Sequence, residues 1–378
     1  MCGACSLHVG RWVARRPQAD VRLISESCSG TCVPGKFPYS RCLRQGCVLL
    51  NGVSLWLRLL QVNVLMGASG RDPVLPEDVV ALISKTDADI VFLQEAGLQS
   101  FSKDLAAGYS EYYQQPVERL NGRLERLHAL LREAGYSIVV ADRFSENPAL
   151  LATRLPIVDE GDSFPLDEGS FAEATKGDSR SGRIVRVALP SSSASEGGEI
   201  PQVDSSGIGV RQLPQIALIV THLHHQESRA ALRGVRSAEV STLLSHWQKA
   251  TTSAQHPVVA TVLASDLNFP RRSDHSPREW DVVCAGFKRL GEPTQDGVAD
   301  ELTSAGFHCA YDLSGKGAPT LTHWTGTTVD FAWCHFREGP MKWEVLRAEA
   351  LPTELSDHLP VVTDLRWVIS TLEHPSTE

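Results

Sequence analysis

The stretch that decides the fold is Val258 to Phe269, which reads VVATVLASDLNF. Residues 258–264 are apolar and rich in β-branched side chains, which predicts a strand buried on both faces. The run ends in SDLN (265–268), and because side chains alternate along a strand, Asp266 and Asn268 are expected to point the same way. A carboxylate and a carboxamide at the tip of a buried strand are costly unless they have partners. Other polar groups of the chain are therefore expected to meet them there.

The composition is typical of a soluble globular protein. Of the 378 residues, 42% are hydrophobic and 21% are charged, and the length allows one large core or two modest ones. The net charge of -9 argues against a broad electrostatic grip on nucleic acid, although it leaves room for a small basic cleft. No apolar run approaches the roughly 18–20 residues of a membrane-spanning helix. We expect a monomer without a transmembrane segment.

Six of the nine cysteines precede residue 50, whereas Cys284, Cys309 and Cys334 lie singly later in the chain. Cys2 and Cys5 resemble half of a zinc site, but no second pair with the usual two-residue gap follows, so a zinc site is not favoured. The three later cysteines are typical of small buried residues in a reducing compartment, which favours an intracellular protein.

The first 55 residues differ from the rest, because they contain seven Lys and Arg residues against only two acidic residues. An arginine-rich, acid-poor leader is typical of an organellar transit peptide. We favour the other interpretation, a poorly structured extension or an uncertain gene start. We therefore divide the chain into an N-terminal extension (1–55, disordered or targeting), a folded domain (56–370) and a C-terminal tail (371–378).

From Trp56 the pattern becomes regular. Strands are predicted at 57–63, 89–95, 136–141, 149–153, 183–189, 216–220, 258–264, 329–334 and 361–368. Helices are predicted at 76–85, 117–134 and 227–249, with a mainly helical region at 278–308. Loops are predicted at 159–182 and in the Ser/Gly-rich insertion 191–211. Since no linker interrupts the strand series, we predict one α/β domain whose sheets are covered by helices.

Polar side chains stand at the ends of several of these strands, or just before the last one. They are Asn63, Glu95, His222, Asp266, Asn268, Asp357 and His358. If the strands pack in two layers, these ends converge at one edge of the core, where ligand sites of α/β sheets commonly lie. Carboxylate and carboxamide oxygens suit Mg²⁺ or Mn²⁺, and nearby histidines suit phosphate contacts and proton transfer. The pattern indicates metal-assisted attack of water on phosphorus.

The short motifs around these residues resemble those of the endonuclease/exonuclease/phosphatase superfamily. In chain order they are QVN, FLQE, THL, SDLN, VDF and SDH. Each is weak alone, but six in the correct order between Leu57 and Trp367 are a specific signal. The resemblance implies the DNase I-like fold, an α/β fold with a two-layer β-sandwich core flanked by helices. It also implies a divalent-metal-dependent phosphoesterase, with phosphodiester hydrolysis as the favoured reaction.

The resemblance further implies catalytic roles. Asp266 orients and deprotonates the attacking water. His358 stabilises the pentacovalent phosphorane or protonates the leaving oxygen, and Asp330 of VDF orients it. His222 contacts the phosphate.

It implies binding roles as well. Glu95 binds the Mg²⁺ or Mn²⁺ ion with support from Asn63 and Asp357, and Asn63 also supports the phosphate, which Asn268 binds. Arg183 or Arg186 binds phosphate too; they lie on opposite sides of the predicted strand, and Arg183 is the preferred choice.

Some positions depart from the family pattern or stay open. Leu65 stands where several nucleases carry a second acid, and Glu239, which follows Arg236, stands where the family often has Gln. His224 and His225 are expected at the surface, whereas His323 and Trp324 either line the cleft or pack a loop. The substrate is left open among a nucleic acid, a phospholipid head group and a phosphorylated metabolite. The alternative to an enzyme is a catalytically silent binding module of the same fold.

Overall fold

The computed structural model describes residues 48–49, 52–64, 74–96, 122–141, 149–166, 171, 180–189, 213–225, 230–254, 257–293, 297–323, 326–339 and 341–369. These all belong to one compact unit, Leu43–Glu378. Several predictions lie outside the described residues: residues 1–47 of the leader, with Cys2 and Cys5, Leu65, the insertion 191–211, Trp324 and the tail 371–378.

The described strands are β1 (Val48–Leu49), β2 (Gly52–Asn63), β3 (Ile90–Gln94), β4 (Ser137–Val140), β5 (Leu150–Thr153), β6 (Ile157–Asp159), β7 (Ser163–Pro165), β8 (Ser181–Ala188), β9 (Gln215–Val220), β10 (Val258–Asp266), β11 (His308–Cys309), β12 (Asp330–Phe336), β13 (Met341–Ala350) and β14 (Val361–Ile369). The described α-helices are α1 (Pro76–Thr86), α2 (Arg123–Glu133), α3 (Val235–Thr252), α4 (Pro277–Leu290), α5 (Val298–Ser304) and α6 (Ala310–Leu313). Short 3₁₀ helices span Ala230–Leu232 and Arg272–Asp274.

The strands form two sheets. The first has the order β13-β14-β2-β3-β5-β4 with β1 beside β2, and the second has the order β11-β12-β10-β9-β8-β6 with β7 beside β8. One central pair in each sheet is parallel, β2 with β3 and β9 with β10. Because parallel neighbours end at the same edge, each sheet presents two adjacent carboxyl ends at one edge.

Strand β2 shows how the sheets form a sandwich. Leu57 and Leu59 lie in the main core, which includes residues of the second sheet, whereas Leu60 and Val62 pack in a smaller core with α1 and α2. This alternation with a period of two puts one face of β2 on the second sheet and the other on the helices. On the second sheet, α3 packs through Trp247, which donates a hydrogen bond to Thr261 Oγ1 (2.9 Å). The predicted two-layer α/β architecture is confirmed.

Some predicted elements differ from the observed ones. Strand β13, an edge strand beside β14, was not predicted because its alternation of charged and apolar residues is interrupted at Val345–Arg347, where the pairing register shifts. The predicted loop 159–182 contains β7, which is only three residues long. The region 278–308 divides into α4 and α5, and β2 begins before residue 56. None of the described helices is long and apolar enough to cross a membrane.

Candidate active site

Polar residues replace apolar ones at one edge of the sandwich. Asn63 and Gln94 end β2 and β3, Asp266 ends β10, and Asp330, the first residue of β12, is the register partner of Asp266. All four are at most 2% exposed. Asn63 Nδ2 donates a hydrogen bond between the two sheets to Asp266 Oδ2 (3.2 Å). The strand ends therefore meet in space.

Asp266 lies at the centre of this cluster. Its Oδ1 accepts a hydrogen bond from the Asn268 backbone N–H (2.7 Å), and its Oδ2 lies 3.6 Å from His222 Nε2 and 3.7 Å from His358 Nε2. Burial acts to raise the pKa of Asp266, but the charge of His358 and the contact with His222 outweigh it and hold the pKa below its usual range. Asp266 is therefore an ionised hydrogen-bond acceptor with two imidazoles beside it.

His358 and Asp330 form a buried dyad. His358 Nδ1 lies 2.9 Å from Asp330 Oδ2. Burial acts to lower the pKa of His358, but Asp330 and Asp266 together raise it to about 10. The imidazole is thus doubly protonated at neutral pH, with Nδ1–H on Asp330 and Nε2–H toward Asp266. A cation held this way can donate a hydrogen bond or a proton to a phosphate ester.

His222 is held from both sides. Arg180 Nη1 lies 3.1 Å from His222 Nδ1, and since arginine only donates, Nδ1 is the acceptor in this contact. Nε2 faces Asp266 and also Glu95 Oε1, which is 3.8 Å away. Asn268 Nδ2 lies 3.1 Å from the same nitrogen and donates to the Leu223 carbonyl (2.9 Å). The side chains of His222 and Asn268 therefore share one wall of the site.

Glu95 and Asp357 supply carboxylate oxygens at the same edge. Burial raises the pKa of Asp357 to about 6, and the nearby charge of Glu95 adds to the shift although His358 opposes it. The repulsion between these two carboxylates favours a bound cation. The side-chain NH₂ group of Asn63 donates to Asp266, which leaves its side-chain oxygen available to coordinate a cation. Oxygen donors of these types suit Mg²⁺ or Mn²⁺, and among the described residues Asp357 also belongs to a group with His323 and His358 whose ligand atoms lie within 4.8 Å of one another.

Backbone conformation also marks this edge. Glu95 and Asn268 have φ values of 53° and 54°, in the left-handed region that residues other than glycine seldom adopt. Glu95 directly follows the end of β3, and Asn268 lies two residues beyond the end of β10. Backbone strain of this kind persists where the surrounding structure fixes it, and it is frequent at functional sites.

The family profile described as the Endonuclease/Exonuclease/phosphatase family matches residues 60–358. The chain belongs to this family. Every predicted site residue, from Asn63 to His358, lies inside the matched region. Membership supports a phosphoester-hydrolysing function and is consistent with the two-sheet fold. No curated protein matches the chain in sequence.

The chain is also similar to several solved structures. The endonuclease/exonuclease/phosphatase from Beutenbergia cavernae is 18% identical, with a TM-score of 0.52, covering 82% of this chain and 71% of that one. The human Nocturnin catalytic domain with bound sulfate is 18% identical, with a TM-score of 0.49 and coverages of 84% and 97%. Truncated TDP2 from Caenorhabditis elegans is 14% identical, with a TM-score of 0.43 and coverages of 82% and 97%. The first of these supports the fold.

Arg180, and not Arg183, contacts a predicted site residue, His222. The guanidinium of Arg183 donates instead to the carbonyls of Val140 (2.8 Å) and Gly161 (2.9 Å). Arg186 pairs with Asp159 (2.6 Å). Among the described contacts, neither reaches another predicted site residue. Sequence reasoning missed Arg180 because the strand was predicted to begin at 183, whereas β8 begins at 181 and Arg180 directly precedes it.

His323, which the sequence predicts either to line the cleft or to pack a loop, lies against the site. Its ring centroid is 4.4 Å from that of His358, its backbone pairs with His358, and its Nε2 is 3.9 Å from Asp357 Oδ2. Burial and the charge of His358 lower the pKa of His323 to about 4, so this imidazole is neutral at neutral pH. The loop after residue 319 therefore packs against the site.

The segment after β9 is held by α3. His224, expected at the surface, is 3% exposed, whereas His225 is exposed as predicted. The His224 N–H donates to Glu239 Oε2 (2.9 Å), and its carbonyl accepts from Arg236 Nη1 (3.4 Å). Arg236 and Glu239 are both buried on α3. The prediction for His224 is wrong because this helix covers the segment, and the glutamate at the family's usual Gln position fixes the backbone two residues after His222.

Proposed function

We propose that the chain is a divalent-metal-dependent phosphodiesterase that hydrolyses its substrate by attack of water. The observation that carries the proposal is the convergence of Asp266, His222 and His358, with less than 4 Å between Asp266 Oδ2 and each imidazole Nε2. Glu95 and Asp357 flank this group. An ionised acceptor, a buried imidazolium and a carboxylate pair are the parts that metal-assisted phosphoester hydrolysis needs.

The cation would be Mg²⁺ or Mn²⁺, held by the carboxylates of Glu95 and Asp357 and the side-chain oxygen of Asn63. When bound, it supplies Lewis-acid stabilisation of the charge that develops on the phosphate oxygens.

The side chains of the site have separate roles in the hydrolysis. Asp266 accepts a hydrogen bond from the attacking water, orients it and receives its proton. His358 donates from Nε2 to a phosphoryl oxygen or to the leaving oxygen, because its Nδ1–H is already bonded to Asp330. Asn268 and His222 hold the phosphate from the opposite wall, and Arg180 orients the ring of His222 through its contact with Nδ1. Preorganised donors of this kind stabilise developing charge without reorganisation.

A substrate panel tests the proposal. The full chain is incubated with single-stranded RNA, single-stranded DNA, sphingomyelin and inositol phosphates, with Mg²⁺, with Mn²⁺ or with EDTA. We expect hydrolysis of at least one phosphodiester that depends on the metal and is lost in Glu95→Gln. The matched control is Glu160→Gln, since Glu160 is exposed and lies in the β6–β7 loop.

The same panel distinguishes the alternatives. Hydrolysis that survives EDTA contradicts the proposed metal dependence. Hydrolysis of phosphomonoesters alone contradicts the phosphodiesterase proposal, and no hydrolysis with no metal-induced rise in melting temperature favours a silent binding module. Among active substrates, a steep loss of affinity with added salt identifies a nucleic acid, because its binding releases counterions.

A further inference from the structure

Two buried glutamines next to the site have no part in the mechanism above. Gln61 of β2 and Gln94 of β3 are each 1% exposed. They lie at the end of the face that also carries Leu59 and Phe92 into the main core. Glutamine is rarely buried so completely, and an amide in such a place is costly unless it is hydrogen-bonded.

The two amides link the dyad to strand β10. Gln61 Nε2 donates to Asp330 Oδ1 (2.8 Å) and to Gln94 Oε1 (2.7 Å), and Gln94 Nε2 donates to the Ala264 carbonyl (3.3 Å). A carboxylate and a backbone carbonyl only accept, so the acceptors at the two ends fix the orientation of both amides. A continuous chain of hydrogen bonds therefore runs from His358 through Asp330 to a residue two positions before Asp266.

Gln61 is arranged as a donor to Asp330. The backbone of Asp330 is already anchored, because its N–H donates to Thr322 Oγ1 (3.1 Å) and its carbonyl accepts from Tyr311 (3.2 Å). What remains to be fixed is the rotation of its carboxylate. The side-chain oxygen of Gln61 accepts no hydrogen bond among the described residues, a cost that a methionine of similar length does not carry.

We propose that Gln61 is a positioning residue that acts through Asp330. By occupying Oδ1, it leaves Oδ2 turned toward His358 Nδ1, and so it holds the imidazole in the orientation that the reaction uses. This inference rests on the proposed function of the dyad. Without Gln61, Oδ1 of this buried carboxylate loses its amide donor, and the carboxylate rotates to share the His358 N–H between its two oxygens.

A double-mutant cycle tests this role. We expect Gln61→Met to lower kcat by about 10- to 100-fold with KM nearly unchanged, because a donor to a charged group is lost while the shape is kept. In an Asp330→Asn background the same change is expected to lower kcat by no more than about twofold, since its target is already gone. The matched control is Gln215→Met, a buried glutamine at the start of β9, which is expected to leave kcat unchanged.

A spectroscopic measurement gives an answer that does not depend on turnover. In substrate-free protein labelled with ¹⁵N-histidine, the Nδ1 proton of His358 is expected to resonate far downfield because it is bonded to a carboxylate. Gln61→Met should shift or broaden this resonance, and Gln215→Met should leave it in place. If no substrate is hydrolysed but the resonance responds in this way, the positioning role stands while the proposed function fails.

Two results overturn the inference while leaving the proposed function intact. One is a Gln61→Met change that lowers kcat by the same factor in the wild-type protein and in the Asp330→Asn background. The other is a Gln61→Met variant with wild-type kcat and an unchanged His358 resonance, which would reduce Gln61 to a packing residue.

Discussion

His358 Nδ1 lies 2.9 Å from Asp330 Oδ2, and this hydrogen bond joins the two sheets. Asp330 begins β12 of the second sheet, whereas His358 lies three residues before β14 of the first. The bond can form only when the sandwich is assembled. Because Asp330 fixes Nδ1–H, the opposite nitrogen of the ring is presented to Asp266 and to any bound phosphate.

Replacing His358 tests its proposed role as a donor. We expect His358→Gln to lower kcat by about 10²- to 10⁴-fold, because the amide can donate a hydrogen bond but cannot transfer a proton. Steady-state kinetics on the active substrate measures the loss, with exposed His308→Gln of β11 as the control. If His358→Gln keeps kcat within about twofold of the wild type, His358 has no part in the chemical step.

The pKa of His358 predicts a pH dependence of stability. Burial alone would lower this pKa, but Asp330 and Asp266 raise it from 6.5 to about 10 in the folded protein. The folded state keeps a proton that the unfolded chain releases, so this contribution to stability is complete below pH 6.5 and is lost as the pH rises to about 10. Urea unfolding of metal-free protein should therefore show a steeper fall across this window for the wild type than for His358→Gln. Equal slopes would show that the charge of His358 does not stabilise the fold.

We expect the buried carboxylate of Asp357 to destabilise the metal-free protein and to contribute to metal binding. Its pKa is raised from 3.8 to about 6, so its stabilising contribution is present below pH 3.8 and is lost by about pH 6. At pH 7.5 we expect Asp357→Asn to stabilise metal-free protein by about 1–3 kcal/mol, because a buried charge is removed. The same variant should lose the rise in melting temperature that Mg²⁺ or Mn²⁺ gives the wild type.

Thermal melts with metal and with EDTA measure both effects. Glu160→Gln serves as the control, and it should melt like the wild type under both conditions. A metal-induced shift that persists in Asp357→Asn would remove Asp357 from the metal site.

We expect replacement of Arg180 to affect catalysis and replacement of Arg183 to affect stability. Arg180→Met should lower kcat/KM by about 10- to 100-fold, because His222 loses the donor that orients its ring. Arg183→Met should leave KM unchanged and destabilise the protein by about 1–3 kcal/mol, since buried carbonyls of the Val140 and Gly161 segments lose their donor. Kinetics and urea unfolding on both variants separate the roles. The reverse pattern would support the prediction that Arg183 binds the phosphate.

Local sequence signals were sufficient for part of the site. Asp266 and Asn268 follow an apolar, β-branched run, and Asn63 ends another, so alternation and strand ends identified them without any structure. The order of six short motifs then gave the family and with it the sandwich. These signals depend on neighbours in the chain, and the elements that carry them have strong periodicity.

Tertiary contacts determined what the sequence did not predict. The sequence does not distinguish Arg180 from Arg183. Arg180 reaches His222 because it directly precedes β8, whereas Arg183 lies within β8 and contacts the β6–β7 loop. His224 looks like a surface residue until α3 covers it. Gln61 looks like a polar interruption of an apolar run, because its partners lie on β3 and on the opposite sheet. Such pairings across the sandwich leave no periodic trace in the sequence.

The most direct test of the central claim is the metal-dependent hydrolysis of bis(p-nitrophenyl) phosphate by the wild type and by Asp266→Asn. Asparagine keeps the size of Asp266 but cannot accept the proton of water. We predict hydrolysis by the wild type with Mg²⁺ or Mn²⁺ but not with EDTA, and a loss of about 10³-fold or more in kcat for the variant, with circular dichroism unchanged. A folded Asp266→Asn protein that hydrolyses the diester at the wild-type rate would contradict the account.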